Sequence, residues 1–242
     1  MEPKCGFCDL FNEKYHCNNC KLLNRSATRG TAPKKIDCSL EEFIDYIDSN
    51  ENFLEKYGVG DYKDITLYTG EKIRVILLDA YRDVLADGSG LAPATLGILN
   101  LSAYYEMNKE RTNKGSWAEC MARNEHLPRI FTLLPEVLRN RIRPVIKRTS
   151  AGQGSRDIVE TVDTLFLFSE IEVFGERCYS AAGEGDQYEY FSKRENRTMG
   201  KYKWLRSPYY GNSNSFCIVG NNGSAGCSYA SYTYGLVFGF CV

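Results

Sequence analysis

After Arg206 the sequence carries no Lys, Arg, Asp or Glu as far as Val242. Charge is what ordinarily keeps surface strands and loops solvated, so a charge-free segment needs a reason. Two kinds of residue share it. Apolar runs at Phe216 to Val219 and Leu236 to Phe238 read as core strands, and Gly235 and Gly239 allow a close backbone approach. Around them, Tyr, Asn, Ser and Gly take 18 of the 26 positions from Tyr209 to Tyr234.

Antibody paratopes have this composition for a physical reason. Tyr offers a large amphipathic contact area at low entropy cost, while Ser, Gly and Asn adapt their hydrogen bonding. The expected ligand contacts are Tyr209, Tyr210, Asn212, Asn214, Asn221, Asn222, Ser228, Tyr229, Ser231, Tyr232 and Tyr234. The plainer alternative is a series of β-turns with tyrosines packed at strand ends.

At the other end of the sequence, Cys5, Cys8, Cys17 and Cys20 make a C-x2-C-x8-C-x2-C pattern. Four thiolates at that spacing suit a closed tetrahedral zinc site, with His16 as a substitute ligand beside Cys17. Structural zinc is expected, a catalytic zinc is not, and disulfides or free thiols are the alternatives. Asn24 to Lys35 lacks large apolar residues and reads as a linker.

Beyond it, Ser39 with Glu42 forms a capping box, and Leu40, Phe43, Ile44, Ile47 and Leu54 predict a helix ended by Gly58. Ile65 to Thr69 and Lys72 to Leu78 flank Gly70-Glu71 and predict a β-hairpin. Leu96 to Arg141 reads as interrupted helix, with Pro128 and Pro135 each able to open a first turn. Thr164 to Phe168 is a buried strand, a Gly-rich acidic loop follows at Gly183 to Asp186, and short strands end at Leu236 to Val242. Mixed short helices and strands make this an α+β protein. The basic run of Arg139, Arg141, Arg143, Lys147 and Arg148 reads as a solvated face.

Bulk properties narrow the function. Net charge is −1, which leaves no global field to hold a polyanion, so nucleic acid is not the expected partner. No apolar run reaches membrane-span length and the start lacks a secretory stretch, so cytoplasmic synthesis is expected.

Seven stretches together resemble a family of uncharacterised domains from gut bacteria and their phages. They are VGDYKDITLYTGEKIRV (Val59 to Val75), ADGSG (Ala86 to Gly90), MN with GSW and MAR (Met107 to Arg123), DTLFLFSEIEVFG (Asp163 to Gly175), AGEGDQYEYF (Ala182 to Phe191), WLRSP (Trp204 to Pro208) and GLVFGFCV (Gly235 to Val242). That family is similar to the C-type-lectin-like fold shared with formylglycine-generating enzymes. The resemblance implies a C-type-lectin-like domain over 36–242, with short twisted strands, after a zinc-knuckle module and linker over 1–35. The wider fold group includes variable proteins of diversity-generating retroelements, in which a reverse transcriptase rewrites the 3′ end of the target gene with errors at adenines. It therefore implies a hypervariable, non-catalytic C-terminal surface that meets a protein or other surface ligand, with incorporation into a phage particle as one location. The N-terminal module would serve docking or self-association.

Enzymatic signatures are thin. The histidines are His16 and His126, the latter read as a partly exposed helix-end residue, and no nucleophile-elbow or phosphate-loop pattern occurs. Asp87-Gly-Ser-Gly and Gly183-Glu-Gly-Asp read as turns rather than calcium sites. The enzyme alternative is copper-dependent thiol oxidation of the formylglycine-generating type, drawing on Cys217, Cys227 and Cys241. A structural virion or assembly protein is the third class. Trp117 and Trp204 are expected in the core, with Arg123 and Arg206 as hydrogen-bonding braces.

Overall fold

The computed structural model describes residues 32–242. Cys5, Cys8, Cys17 and Cys20 lie outside the described residues. The end of the expected linker is pinned: Lys34 N donates to Asp61 Oδ1 at 2.9 Å and Lys35 bridges to Tyr62. Ser39 caps helix α1 (Leu40–Ser49), its hydroxyl accepting from Glu42 N while the Glu42 carboxylate accepts from Ser39 N. Leu40, Phe43, Ile44 and Ile47 are its buried stripe. The helix stops at Ser49 rather than near Gly58, and Leu54 sits in a separate 3-10 turn, Phe53–Glu55. The Ser49 hydroxyl bonds back to Asp45 O at 2.6 Å and Asn50 is extended, which is how short polar side chains compete with a helical backbone.

The predicted hairpin is β1 (Tyr62–Thr66) and β2 (Lys72–Ala80), antiparallel, with Gly70 at φ +87 in the turn. The next stretch corrects the sequence reading. Leu96 lies in strand β3 (Ala94–Ile98), not in helix, and β4 (Tyr104–Tyr105) follows. β3 pairs with β2, and Leu78 packs over Gly97 so closely that a Cβ would lie 2.5 Å from its Cδ1. Helices begin only with α2 (Ser116–Glu119), then a π turn (Ala122–His126), α3 (Leu127–Leu133) with Pro128 in its first turn, and α4 (Glu136–Arg139) directly after Pro135.

A second hairpin, β5 (Val145–Ser150) and β6 (Ile158–Asp163), leads to the buried β7 (Phe166–Leu167), α5 (Glu170–Phe174) and α6 (Glu189–Ser192). The charge-free segment supplies the last strands: the end of β8 (Lys203–Pro208), then β9 (Ser215–Val219), β10 (Ala225–Tyr229), β11 (Tyr234–Leu236) and β12 (Phe238–Cys241). One sheet has the order β1-β2-β3-β12-β7 and the other β10-β9-β8-β11-β4. The chain steps from the second into the first at buried Val237, so the C-terminal strands stitch both sheets to one core that runs from Ile36 to Val242. The architecture is α+β, mostly sheet with few short helices.

Between the sheets lies a group of buried charges. Arg206 of β8 is fully buried and Nη1 and Nη2 reach Glu172 at 2.5 and 2.9 Å, with Thr149 Oγ1 and the Leu167, Arg148 and Glu184 carbonyls taking its other protons. Lys147 Nζ sits 2.6 Å from both Asp83 and Glu172 and 2.9 Å from Tyr188 OH. Burial alone would raise the Asp83 and Glu172 carboxyls, but the neighbouring cations hold both below their ordinary values. Lys147 therefore belongs to the interior and not to a solvated face. In that basic run, Arg141 pairs with Asp45 and Arg143 reaches Ser89, at the surface as expected.

Trp117 and Trp204 are fully buried as expected. Asp163 accepts from Trp117 Nε1 at 2.9 Å, Arg123 Nε at 2.6 Å and Thr161 Oγ1 at 2.6 Å, which makes Arg123 a brace.

Candidate ligand-contacting surface

None of the eleven expected contact residues is buried. They divide into three places according to the register of the β9–β10 hairpin. Ser215 faces Tyr229 at one end and Val219 faces Ala225 at the other.

At the first end the aromatic residues gather. Tyr229 and Tyr232 meet edge to face at 5.5 Å, and Tyr232 and Tyr234 at 6.5 Å. Tyr234 rests on buried Trp204 at 4.9 Å and on Tyr202 at 5.3 Å, and its hydroxyl is 3.0 Å from Ser228 Oγ. The Arg111 guanidinium covers the Tyr229 ring at 4.6 Å. Ser231, half-buried, belongs to the same β10–β11 turn. Tyr202, Tyr229 and Tyr232 are 44%, 38% and 42% exposed, rings open to water that gather about Tyr234, the ring that rests on the tryptophan. This is the amphipathic arrangement that makes tyrosine effective in contacts.

Tyr209, Tyr210, Asn212 and Asn214 form a neighbouring turn. Ala230 N donates to Asn214 O at 3.0 Å and joins the two places. Here the amides work inward: Asn212 Oδ1 accepts from Asn214 N and Asn214 Oδ1 from Ser215 Oγ. Tyr210, 38% exposed, accepts from Arg156 Nε at 3.1 Å.

Asn221 and Asn222 are at the far hairpin tip and do not join the aromatic group. Asn222 Oδ1 accepts from Ser224 N and Ser224 Oγ, an Asx turn next to Gly223 at φ +77. For Asn222 the turn reading is the one its hydrogen bonds support.

Sequence reading missed the residue that holds the Tyr209 to Ser215 turn in place. Asn113 is fully buried; its Nδ2 donates to the Asn212 and Ser215 carbonyls at 2.9 Å, and its Oδ1 accepts from Gln153 N at 2.9 Å. A lone Asn in a polar stretch gives no local sign of this. Its neighbour Arg111, also unforeseen, enters the patch from the same loop.

The buried polar groups around β8 support the surface from below. Glu170 accepts from the backbone N of Cys178, Tyr179 and Ser180, and Tyr179 packs on Tyr209 at 5.6 Å. Glu184 is fully buried, taking Ser150 N and the Ser207 hydroxyl, so Gly183-Glu-Gly-Asp is a turn with Gly183, Gly185 and Asp186 exposed and one side chain anchored inside. The Asp87 turn does lie at the surface, closed by Ser89 N and Oγ.

The family model described as "Domain of unknown function (DUF6273)" matches residues 91–241, more than half of the chain. The chain belongs to the DUF6273 family. No curated protein and no solved structure matches it. The DUF6273 match includes the aromatic patch and Lys147, Glu172, Glu184 and Arg206 of the buried network, and leaves out α1, β1 and β2.

Reactive groups in the DUF6273 region are quiet. Cys217 and Cys241 are buried and burial pushes both thiols well up, while Cys120 is raised to about 12. Raised thiols hold little thiolate, the form that carries thiol chemistry. His126 is buried and not partly exposed: it stacks on Tyr105 at 4.3 Å and neither ring nitrogen has a partner among the described residues. Burial lowers its pKa, so it sits there as neutral imidazole. Among the described residues no group of three or more His, Cys, Asp or Glu could hold a metal ion, and no helix is long and apolar enough to cross a membrane.

Proposed function

We propose that this protein is a non-catalytic recognition protein whose ligand surface is the tyrosine group Tyr229, Tyr232 and Tyr234 with Ser228, Ser231, Tyr209 and Tyr210. The observation that carries the reading is the pairing of exposed rings with a rigid support: the patch rests on Trp204 and on the turn that Asn113 holds, both side chains fully buried. A surface held this way can exchange its side chains without altering the core.

The finer reading is that the domain is C-type-lectin-like and is the target protein of a diversity-generating retroelement, its Tyr/Asn/Ser content being what adenine errors in Asn-type codons would leave. Cys5, Cys8, Cys17 and Cys20 would hold a structural zinc in a separate N-terminal module. The ligand class is a protein or other macromolecular surface, since tyrosine-rich, wet contact surfaces suit such partners. Thiol oxidation is the weaker reading, given that burial raises the thiols of Cys217, Cys227 and Cys241, the half-buried Cys227 included.

Sequencing the gene and its neighbourhood from many related isolates tests this. Substitutions should concentrate at Tyr209, Tyr210, Tyr229, Ser231, Tyr232 and Tyr234 and spare Asn113, Glu172, Trp204 and Arg206, with a reverse-transcriptase gene and a near-repeat of the 3′ coding sequence nearby. Variation spread evenly along the gene, or identical codons across the patch in independent isolates, would refute the retroelement role.

A further inference from the structure

An open cleft of about 500 Å³, the size of a small-molecule site, lies beside the tyrosine group at the edge strand β4. Its walls come from β2, the β3–β4 connection, α6 and the segment entering β8; apolar Leu101 and Met199 and the Tyr190 ring line it. Three cations reach it, Arg74, Lys201 and Lys203, against a single carboxylate, the exposed Glu195. Arg74 is already occupied, pairing with Asp64 at 2.9 Å and covering Tyr62 at 3.6 Å.

Lys203 is different. The residue is 3% exposed, yet its ammonium makes no hydrogen bond or ion pair among the described residues and only meets the Tyr104 ring, 5.7 Å away. Lys201 approaches the same ring at 5.2 Å. The ammonium opens only onto the cleft, and burial of the rest of the residue strips part of its water without supplying an anion, which is costly. Burial accordingly lowers the Lys203 pKa, with Lys201 adding to the effect.

The position is built by the sheet. Tyr104, Gly235 and Lys203 stand in one row across β4, β11 and β8. The lysine lies across the glycine: a Cβ at Gly235 would come within 2.6 Å of Nζ and 2.7 Å of Cδ. The missing side chain at position 235 is what lets the ammonium pass to the cleft.

We propose that this cleft binds a small organic anion, its carboxylate or phosphate taking Lys203 Nζ as partner, with Lys201 at the mouth and the body of the ligand against Tyr104, Tyr190 and Leu101. The site shares no residue with the tyrosine group, so its failure leaves the recognition reading untouched.

Titration of the full chain with glucuronate, with glucose 6-phosphate and with glucose tests the site, followed by calorimetry and by the carbon-13 shifts of the lysine side chains. At least one anion should bind with a Kd below about 10 mM and move the Lys203 signal, while glucose should not. Which anion binds identifies the head group as carboxylate or phosphate. Lys203→Met should weaken binding by about ten-fold or more, the loss expected for a charge-assisted hydrogen bond. Gly235→Ala should do likewise by displacing the ammonium, and Lys201→Met should cost only about two- to five-fold, as a more exposed charge does. Absence of any Lys203 shift with both anions, an unchanged Kd in Lys203→Met, or equal binding of glucose would overturn the proposal. If Lys203→Met does not fold, the Lys203 shifts of the unaltered chain and Lys201→Met decide it alone.

Discussion

The interior around β8 and the surface beyond it reverse the usual distribution of charge. Asp83, Lys147, Glu172, Glu184 and Arg206 are buried between the sheets, whereas the segment after Arg206 that meets water carries no charged residue at all. Charged side chains normally line the outside and are fully buried only when paired. Inside, Asp83 and Glu172 pair with Lys147 and Arg206, Arg206 also donates to backbone carbonyls from β5, β7 and the Gly183 loop, and Glu184 accepts from Ser150 N and the Ser207 hydroxyl, so each fixes the relative position of elements far apart in sequence. Outside, tyrosine hydroxyls and short polar groups keep the surface wet without imposing a fixed partner. One region specifies the structure and the other is free to vary, and each difference in their response to substitution tests that division.

The largest response is expected at Glu172, which holds Arg206 and Lys147 at once. Glu172→Gln leaves two buried cations short of their counter-charge and should cost roughly 3–5 kcal/mol, or prevent folding. Urea unfolding measures it. A loss below about 1 kcal/mol would mean that the network does not fix the fold, and the contrast between the two regions would disappear.

These two regions also differed in how far they could be read from sequence. The capping box at Ser39, the hairpin about Gly70, the core positions of Trp117, Trp204 and Phe216 and the bracing role of Arg206 were all legible, because local spacing or residue type sufficed. Composition pointed to exposed tyrosines in the C-terminal segment, and Tyr210, Tyr229 and Tyr232 are exposed, whereas Tyr209 and Tyr234 are half-buried against Tyr179 and Trp204. Lys147 and Glu184 were not. Their partners, Asp83 and Ser207, are 64 and 23 residues away, and a basic run or an acidic Gly-rich loop looks the same whether its one inward side chain is paired or solvated. Asn113 hid for the same reason, its carbonyl partners lying about a hundred positions downstream. His126 was misjudged because a helix end says nothing about Tyr105, which covers its ring.

A smaller effect is expected of pH, and it separates the buried carboxylates by sign. Asp83 and Glu172 are held low by their cations against the opposing effect of burial, so the stability they give is present above the ordinary carboxylate range and is lost as pH falls through their lowered pKa values. Glu184 is the reverse. Burial raises it above its ordinary value, outweighing the Ser207 and Ser150 bonds, so the folded chain keeps a proton that the unfolded chain has released. Its contribution is full below the ordinary value and fades as pH rises through the raised one. Glu184→Gln should therefore gain on the unaltered protein as pH is raised from about 4 to about 8 and leave the acid-side loss in place. Thermal unfolding across that range checks it. A stability difference that does not change with pH would show that Glu184 is ionised in the fold like its neighbours.

The smallest effect is the one on which the comparison depends most. Tyr229 and Tyr232 touch each other and Arg111 at the surface, contacts worth about 1 kcal/mol together at exposed positions. Replacing both, by Asn and Ser or by Asp and Asn, should change unfolding free energy by about that much or less, and nearly equally for the neutral and the charged pair, because the cation against them, Arg111, is exposed and its pairing is screened by water. Tyr234→Ala is the internal control, since that ring rests on Trp204 and its removal should cost more than either neighbour. If the Tyr229 and Tyr232 replacements instead cost as much as Glu172→Gln, the rings would be part of the framework. The absence of charge after Arg206 would then reflect packing, and the surface could not be rewritten without rebuilding the sheet beneath it.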